Sequence, residues 1–117
     1  MTDTWIQEFM AALDTLRTDD ILPHFDEQAC FRIGSSLPIV GRPAIRDAMA
    51  QLFASMRVVR HACVQVWVTP DSAVLEASVT CARSDGATVA VPSVGILRVQ
   101  EGQIVDYRWI MDPAPLS

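Results

Sequence analysis

The sequence predicts an α+β fold in which three N-terminal helices pack on one face of a curved, antiparallel or mixed β-sheet. Two observations carry this prediction. Up to Met56 the apolar residues recur at helical spacing, whereas beyond it they alternate with polar residues as they do in strands. Short turn segments then separate four successive strands, which is typical of an antiparallel meander packed against helices.

The length and composition predict one globular domain spanning residues 1–117. Half of the 117 residues are hydrophobic and 20% are charged, so the chain can bury a single core. The formal net charge of -5 argues against a nucleic-acid partner, which needs a basic face. No run of about 18 apolar residues is present, so no membrane span is expected. The first residues lack the pattern of a signal peptide, and the expected location is the cytoplasm.

The three cysteines do not indicate a metal site. Cys30, Cys63 and Cys81 are odd in number, lie far apart and form no Cys-x-x-Cys motif or Cys/His cluster. Each lies in an apolar segment, as expected of a buried, reduced thiol. We therefore predict no metal ligands.

Helices are predicted at residues 4–17, 19–25 and 41–56. The first and third carry continuous apolar stripes, formed by Ile6, Phe9, Met10, Leu13 and Leu16 and by Ile45, Ala48, Met49, Leu52, Phe53 and Met56. Pro43 suits the first turn of the third helix. The second helix is a short piece that contains Pro23.

Strands are predicted at residues 29–33, 61–68, 73–83, 88–99 and 104–111. If Asp-Gly forms a two-residue turn before the fourth strand, and a three-residue loop precedes the fifth, the register across the last three strands is set. Three rows then cross the sheet: Glu76–Gly95–Tyr107, Ser78–Ser93–Trp109 and Thr80–Val91–Met111. Alternate residues of a strand share a face, so these nine residues are predicted to line one side.

Glu76 and Tyr107 are the candidate catalytic pair on that side. Gly95 has no side chain, and neighbouring strands lie ~4.8 Å apart, so a gap of roughly 9–10 Å would separate Glu76 from Tyr107. A carboxylate desolvated in a pocket can act as general base, and a tyrosine hydroxyl can donate to a developing oxyanion. Trp109 would add a flat apolar wall. The alternative is that Glu76 and Tyr107 form only a satisfied polar pair.

His61 is a further acid/base candidate whose orientation depends on one turn. With a two-residue turn at Pro70 and Asp71, His61 faces the pocket. With a three-residue loop it faces outward, and Val64 and Val66 line the pocket instead. The sequence leaves both registers open.

Asp112 is the fourth catalytic candidate. Alternation places it on the side opposite the aromatic residues of its strand, where Arg32 of the early strand would pair with it. Phe31 and Ile33 face away from Arg32 and are predicted to line the pocket. A bulge before Pro113 would instead turn Asp112 into the pocket.

The segments FRIGSSLPIVGRPAI, residues 31–45, and GQIVDYRWIMDPAPL, residues 102–116, resemble the nuclear transport factor 2-like superfamily in its SnoaL-like branch. That branch is related to polyketide cyclases and ketosteroid isomerases. The resemblance covers nearly the whole chain and implies a cone, in which helices close a pocket over a concave sheet. It also implies a homodimer through the convex face of the sheet. The apolar residues predicted on that face are Val79, Cys81, Val94, Ile96 and Ile110.

The resemblance further implies cofactor-independent acid/base chemistry on a small hydrophobic carbonyl compound, by isomerisation, cyclisation or dehydration. Glu76 or Asp112 would be the base, His61 a second acid/base and Tyr107 a donor. The residue sets of epoxide-hydrolase-like and ketosteroid-isomerase-like sites are missing from the matching positions. The alternative is a noncatalytic ligand-binding or assembly domain of the same fold.

Overall fold

A computed structural model of the chain describes residues 4–116, in which three helices cover one face of a curved, six-stranded sheet. The helices are α1 (Thr4–Asp14), α2 (Thr18–Ile21) and α3 (Arg42–Met56), with short 3-10 turns at Leu22–His24 and Ala114–Leu116. None of these helices is long and apolar enough to span a membrane. The predicted α+β class is confirmed.

The strands are β1 (Phe25–Ile33), β2 (Ile39–Val40), β3 (Val58–Val68), β4 (Ser72–Ala82), β5 (Thr88–Gln100) and β6 (Gln103–Met111). They lie in the order β2-β1-β6-β5-β4-β3. Only β1 and β6 are parallel neighbours within this sheet, so the sheet is mixed. The two-residue strand β2 was not predicted, and β1 begins four residues earlier than expected because its first half pairs with the start of β6.

The core lies between the helices and the side of the sheet that they cover, which we call the inner face. Phe9 of α1 and Ile45 of α3 are fully buried against it. Buried sheet residues of the inner face include Phe31, Leu75, Ala77, Val79, Cys81, Val91, Ser93, Leu97, Tyr107 and Trp109. Burial of each large apolar side chain stabilises the fold by about 1.5–3 kcal/mol. The opposite side is the outer face.

The β4–β5 turn has one residue more than predicted. The amide of Arg83 donates to the carbonyl of Ala87 at 2.7 Å, and Ala82 pairs with Thr88, so three residues form the turn. Gly86 has a φ of 89°, a left-handed conformation that glycine adopts without a steric penalty. The extra residue shifts β4 by one position against β5, which exchanges its two faces.

The β5–β6 turn is shorter than predicted, but the faces of β6 are unchanged. Gln100 pairs with Gln103, so only Glu101 and Gly102 form the turn, with φ values of 52° and 78°. A bulge then shifts the register beyond Val99. The shorter turn and the bulge each shift the register by one residue, and a shift of two residues leaves the faces of a strand unchanged. The aromatic side of β6 therefore still faces inward.

The α1–α2 connection contains a strained residue. α1 ends at Asp14, three residues before its predicted end. The hydroxyl of Thr15 donates to the carbonyl of Ala12 at 2.7 Å, and the amide of Leu16 donates to Leu13 at 3.1 Å. Leu16 has a φ of 58°, which is costly for a residue with a side chain.

Candidate functional site

A small cavity lies between the inner face and the helices. Its volume is about 30 Å³, enough for about two water molecules. The residues that line it are Leu13, Leu16, Phe31, Met49, Leu52, Phe53, Val58, His61, Val79, Tyr107 and Trp109. All but His61 are apolar or aromatic, so the wall of the cavity is apolar apart from one imidazole.

His61 is the one ionisable imidazole in the cavity wall. It pairs with Val79 across β3 and β4, which turns its side chain to the inner face. Its Nδ1 lies 2.8 Å from the Oδ1 of Asp14, the last residue of α1. The His61 side chain is 9% exposed and that of Asp14 48%, so the pair joins the buried cavity to the surface.

The Asp14–His61 contact fixes the proton on the imidazole. A carboxylate can only accept a hydrogen bond, so this geometry assigns the proton to Nδ1 of His61 as the donor. In the neutral ring Nε2 then keeps its lone pair and acts as an acceptor. Within residues 4–116 no protein group bonds to Nε2, which leaves it available to a ligand.

Tyr107 lies at the centre of an aromatic cluster. Its ring makes edge contact with Phe9 at a centroid distance of 5.7 Å, and tilted contacts with Phe25 at 6.1 Å and Phe31 at 5.3 Å. Such contacts stabilise by roughly 0.5–1.5 kcal/mol beyond burial. Burial in this cluster raises the pKa of Tyr107 well above its ordinary value, so the hydroxyl stays protonated and can only donate or accept as a neutral group.

Gly95 leaves room for the Tyr107 ring. A Cβ atom at this position would lie 2.9 Å from Cε1 of Tyr107 and 3.4 Å from its hydroxyl oxygen. The ring therefore occupies the space that a side chain at position 95 would need. Gly95 itself pairs with Trp109 rather than with Tyr107.

The predicted position of Glu76 in the pocket is wrong. Leu75, not Glu76, lies opposite Gly95, and Glu76 is exposed on the outer face. The same one-residue shift moves Ser78 and Thr80 to the outer face. The physical cause is the three-residue β4–β5 turn, because a strand that slips by one residue exchanges its faces.

The other predicted pocket residues all belong to the inner face. Phe31, His61, Tyr107 and Trp109 line the cavity. The remaining ones lie on the inner face beyond the cavity wall: Ile33, Val91, Ser93, Gly95 and Met111. The Oγ of Ser93 is buried and has no hydrogen-bond partner among the described residues.

Asp112 and Arg32 do not form the predicted pair. β1 does flank β6, but Arg32 contacts Asp106, with Nη2 3.3 Å from Oδ2. Asp112 is exposed beyond the end of β6, where its Oδ1 accepts the amide of Ala114 at 3.0 Å. It borders a shallow depression of the outer face and is not part of the cavity.

The cysteines are free thiols in the structure, with Cys81 buried and the other two half-buried. Burial is the main cause that raises the pKa of Cys30, Cys63 and Cys81 above the ordinary value, so they are poor nucleophiles. Within residues 4–116 no three His, Cys, Asp or Glu side chains are grouped so that they could hold a metal ion.

Asp14 is the residue that sequence reasoning missed. It follows Leu13 on the apolar stripe of α1, and the helix was expected to continue past it. A signal was present: a carboxylate in the last turn of a helix faces the negative end of the helix dipole, which is unfavourable without a compensating partner. That partner is His61, which lies 47 residues away in sequence.

Comparison with known proteins places this fold in a family. Residues 6–107 match the model of the SnoaL-like domain. The chain therefore belongs to the SnoaL-like domain family. No functionally curated protein matches the sequence.

Several solved structures are similar to the chain. An NTF2-like protein from Burkholderia pseudomallei aligns with a TM-score of 0.82 at 11% identity, over 99% of this chain and 97% of that one. A protein with a ketosteroid isomerase-like fold from Catenulispora acidiphila, solved with trimethylamine, gives 0.81 at 16%, over 99% and 91%. A Jannaschia protein described as a SnoaL-like polyketide cyclase gives 0.74 at 22%, over 83% and 73%. At these identities the likeness concerns the fold.

Proposed function

We propose that this protein binds a small hydrophobic carbonyl compound in the cavity and isomerises, cyclises or dehydrates it by cofactor-independent acid/base chemistry. The observation that supports the proposal most strongly is the Asp14–His61 pair. It supplies one basic nitrogen to a cavity wall that is otherwise apolar. A base of this kind contributes typically 10²–10⁴-fold to the rate of a proton transfer.

In the proposed reaction Nε2 of His61 removes a proton from the carbon next to the substrate carbonyl. The electron pair of the broken C–H bond moves to the carbonyl oxygen and forms an enolate. Trp109 and Tyr107 both line the cavity, and in this reaction their indole N–H and hydroxyl would donate to that oxygen. The imidazolium, stabilised by Asp14, then returns the proton to another carbon or to a departing hydroxyl group.

Deuterium exchange tests the chemistry directly. A small aromatic ketone such as tetralone is incubated with the protein in heavy water, and loss of the proton signal next to the carbonyl is followed by NMR. We expect catalysed exchange that falls about a hundredfold or more in His61→Ala. Glu76→Gln, on the outer face, is the matched control and retains the wild-type rate. No catalysed exchange by the wild-type protein, or full exchange by His61→Ala, contradicts the proposal.

A noncatalytic ligand-binding or assembly role is the second candidate. It is supported by the cavity volume of about 30 Å³, since side chains of the protein itself fill most of the space. A protein with this role binds apolar molecules or a partner chain without turnover. The exchange experiment separates the two candidates, because binding alone does not move a proton.

We also propose that the chain forms one domain over residues 1–117 and that it works in the cytoplasm. We further propose that two copies form a homodimer through the outer face. Support comes from exposed apolar residues on that face: Trp67 (54%), Val74 (37%), Ile96 (40%) and Ile110 (40%). Val79 and Cys81, predicted in the same patch, are buried on the inner face instead. Light scattering at micromolar concentration is expected to give twice the chain mass, and Ile96→Arg is expected to give a monomer. A wild-type monomer overturns this proposal.

A further inference from the structure

The cavity is too small for the ligand class proposed above. A volume of about 30 Å³ holds about two water molecules, whereas small-molecule sites usually measure several hundred cubic ångströms. Part of the wall must therefore move before a ring compound can enter. Buried wall residues such as Phe31, Met49 and Val79 are held on all sides by the core, so the movable part must face solvent.

Leu16 and Phe53 are the wall residues that also border an outside groove. That groove lies between the α1–α2 turn and the last turns of α3, and its volume is about 500 Å³. Leu16 and Phe53 line both the cavity and the groove, and both are half-buried. A rotation of these two side chains joins the two spaces without disturbing the buried wall.

The backbone at Leu16 supports a role in movement. Its left-handed φ of 58° costs roughly 1–2 kcal/mol for a residue with a side chain, and such outliers cluster at functional sites. Leu16 also lies two residues after Asp14, so a shift of this turn reaches the carboxylate that orients His61.

The two charged residues that line the groove in the described part of the chain, Arg17 and Asp19, each form an ion pair. Nε of Arg17 lies 3.4 Å from Asp20, and Nη2 of Arg46 lies 3.0 Å from Asp19. The two residues that separate the groove from the cavity are apolar. The entrance thus favours an uncharged, apolar molecule.

We infer that Leu16 and Phe53 form a gate through which an uncharged apolar ligand passes from the groove into the cavity. This inference depends on the proposed function only because both concern the same cavity. Its side chains set the size of the molecule that enters, and the ligand reaches His61 only when both have turned aside.

Stopped-flow fluorescence with N-phenyl-1-naphthylamine, an uncharged apolar dye, measures entry into the cavity. Leu16→Ala and Phe53→Ala are expected to raise the association rate at least tenfold. Ala54→Trp adds bulk to the groove and is expected to lower it at least fivefold. Gln51→Trp is the matched control, because Gln51 is exposed on the same helix but does not line the groove; it is expected to bind at the wild-type rate.

Equal rates for Ala54→Trp and Gln51→Trp overturn the gate, and so does a failure of both the wild-type protein and Leu16→Ala to bind the dye. The two tryptophan variants change exposed helix positions, so their comparison stands even if Leu16→Ala does not fold. Dye entry needs no proton transfer. A protein that binds the dye through the gate but shows no deuterium exchange retains the gate and loses the proposed chemistry.

Discussion

The two faces of strand β4 differ in burial and in the chemistry of their side chains, although their residues alternate along the same strand. Leu75 and Val79 are buried on the inner face and belong to the core, whereas Glu76 between them is exposed on the outer face. The outer face holds ion pairs such as Arg32–Asp106, which are partly exposed and worth about 0–1 kcal/mol. The inner face holds one Asp-paired histidine among apolar side chains. The register of a strand therefore decides which of its residues can do chemistry.

The largest expected effect contrasts two adjacent residues of β4. Leu75→Ala removes a buried side chain of the inner face and is expected to lower the free energy of unfolding by about 2–5 kcal/mol. Glu76→Ala changes an exposed residue of the outer face and is expected to stay within about 0.5 kcal/mol of the wild-type value. Urea denaturation of the two variants measures both. Similar losses for the two would contradict the observed register.

The close approach of Tyr107 to Gly95 gives the next largest effect. Gly95→Ala places a Cβ atom 2.9 Å from Cε1 of Tyr107 and is expected to cost about 1–3 kcal/mol. Tyr107→Leu removes that contact atom, so Gly95→Ala should cost less in the Tyr107→Leu background. A double-mutant cycle measures the coupling. Equal costs in both backgrounds would show that the two residues are not in contact.

The sole tyrosine of the chain makes the inner face sensitive to alkali. Burial raises the pKa of Tyr107, so the folded state keeps the phenol proton at a pH where the unfolded chain releases it. The contribution of Tyr107 to stability is therefore complete below about pH 10 and is lost above it, by up to about 1.4 kcal/mol per pH unit. Tyrosinate absorbance should appear only together with unfolding. Its appearance near pH 10 in the folded protein would contradict the buried position.

The smallest expected effect concerns Ser93 on the inner face. Its buried Oγ has no hydrogen-bond partner among the described residues. Ser93→Ala removes the unpaired oxygen and is expected to raise the free energy of unfolding by about 1 kcal/mol. Ser78→Ala, on the outer face of the neighbouring strand, is the control and should change little. A loss of stability in Ser93→Ala would indicate a bound water at this oxygen.

Much of the fold could be predicted because hydrophobic periodicity is local. The stripe of α3 and the alternation of β6 identify both elements, and the aromatic face of β6 is correct despite a changed turn and a bulge. The shorter turn and the bulge together shift the register of β6 by two residues, which leaves its faces unchanged. The one extra residue in the turn that contains Gly86 shifts the register of β4 by one, which exchanges its faces. The length of a turn depends on a few backbone angles, and an Asp-Gly sequence is compatible with both two-residue and three-residue turns.

The candidate site was less predictable because it depends on contacts between distant segments. His61 could be identified as a candidate, but its face depended on bulges in β3 that leave no clear mark in the sequence. Its partner Asp14 comes from a helix end that was expected to lie three residues further on. A carboxylate among apolar residues, as at Glu76, suggests a base in a pocket, yet the alternation of the strand is equally consistent with an exposed position.

The protonation of the His61 ring tests the central claim that Asp14 orients this imidazole toward the cavity as a base. Long-range proton–nitrogen NMR spectra of the labelled protein distinguish the two neutral forms of the ring. We predict the proton on Nδ1 in the wild-type protein and loss of that preference in Asp14→Ala. A neutral His61 that carries its proton on Nε2 in the wild-type protein would contradict the account, because Nε2 would then have no lone pair with which to act as a base.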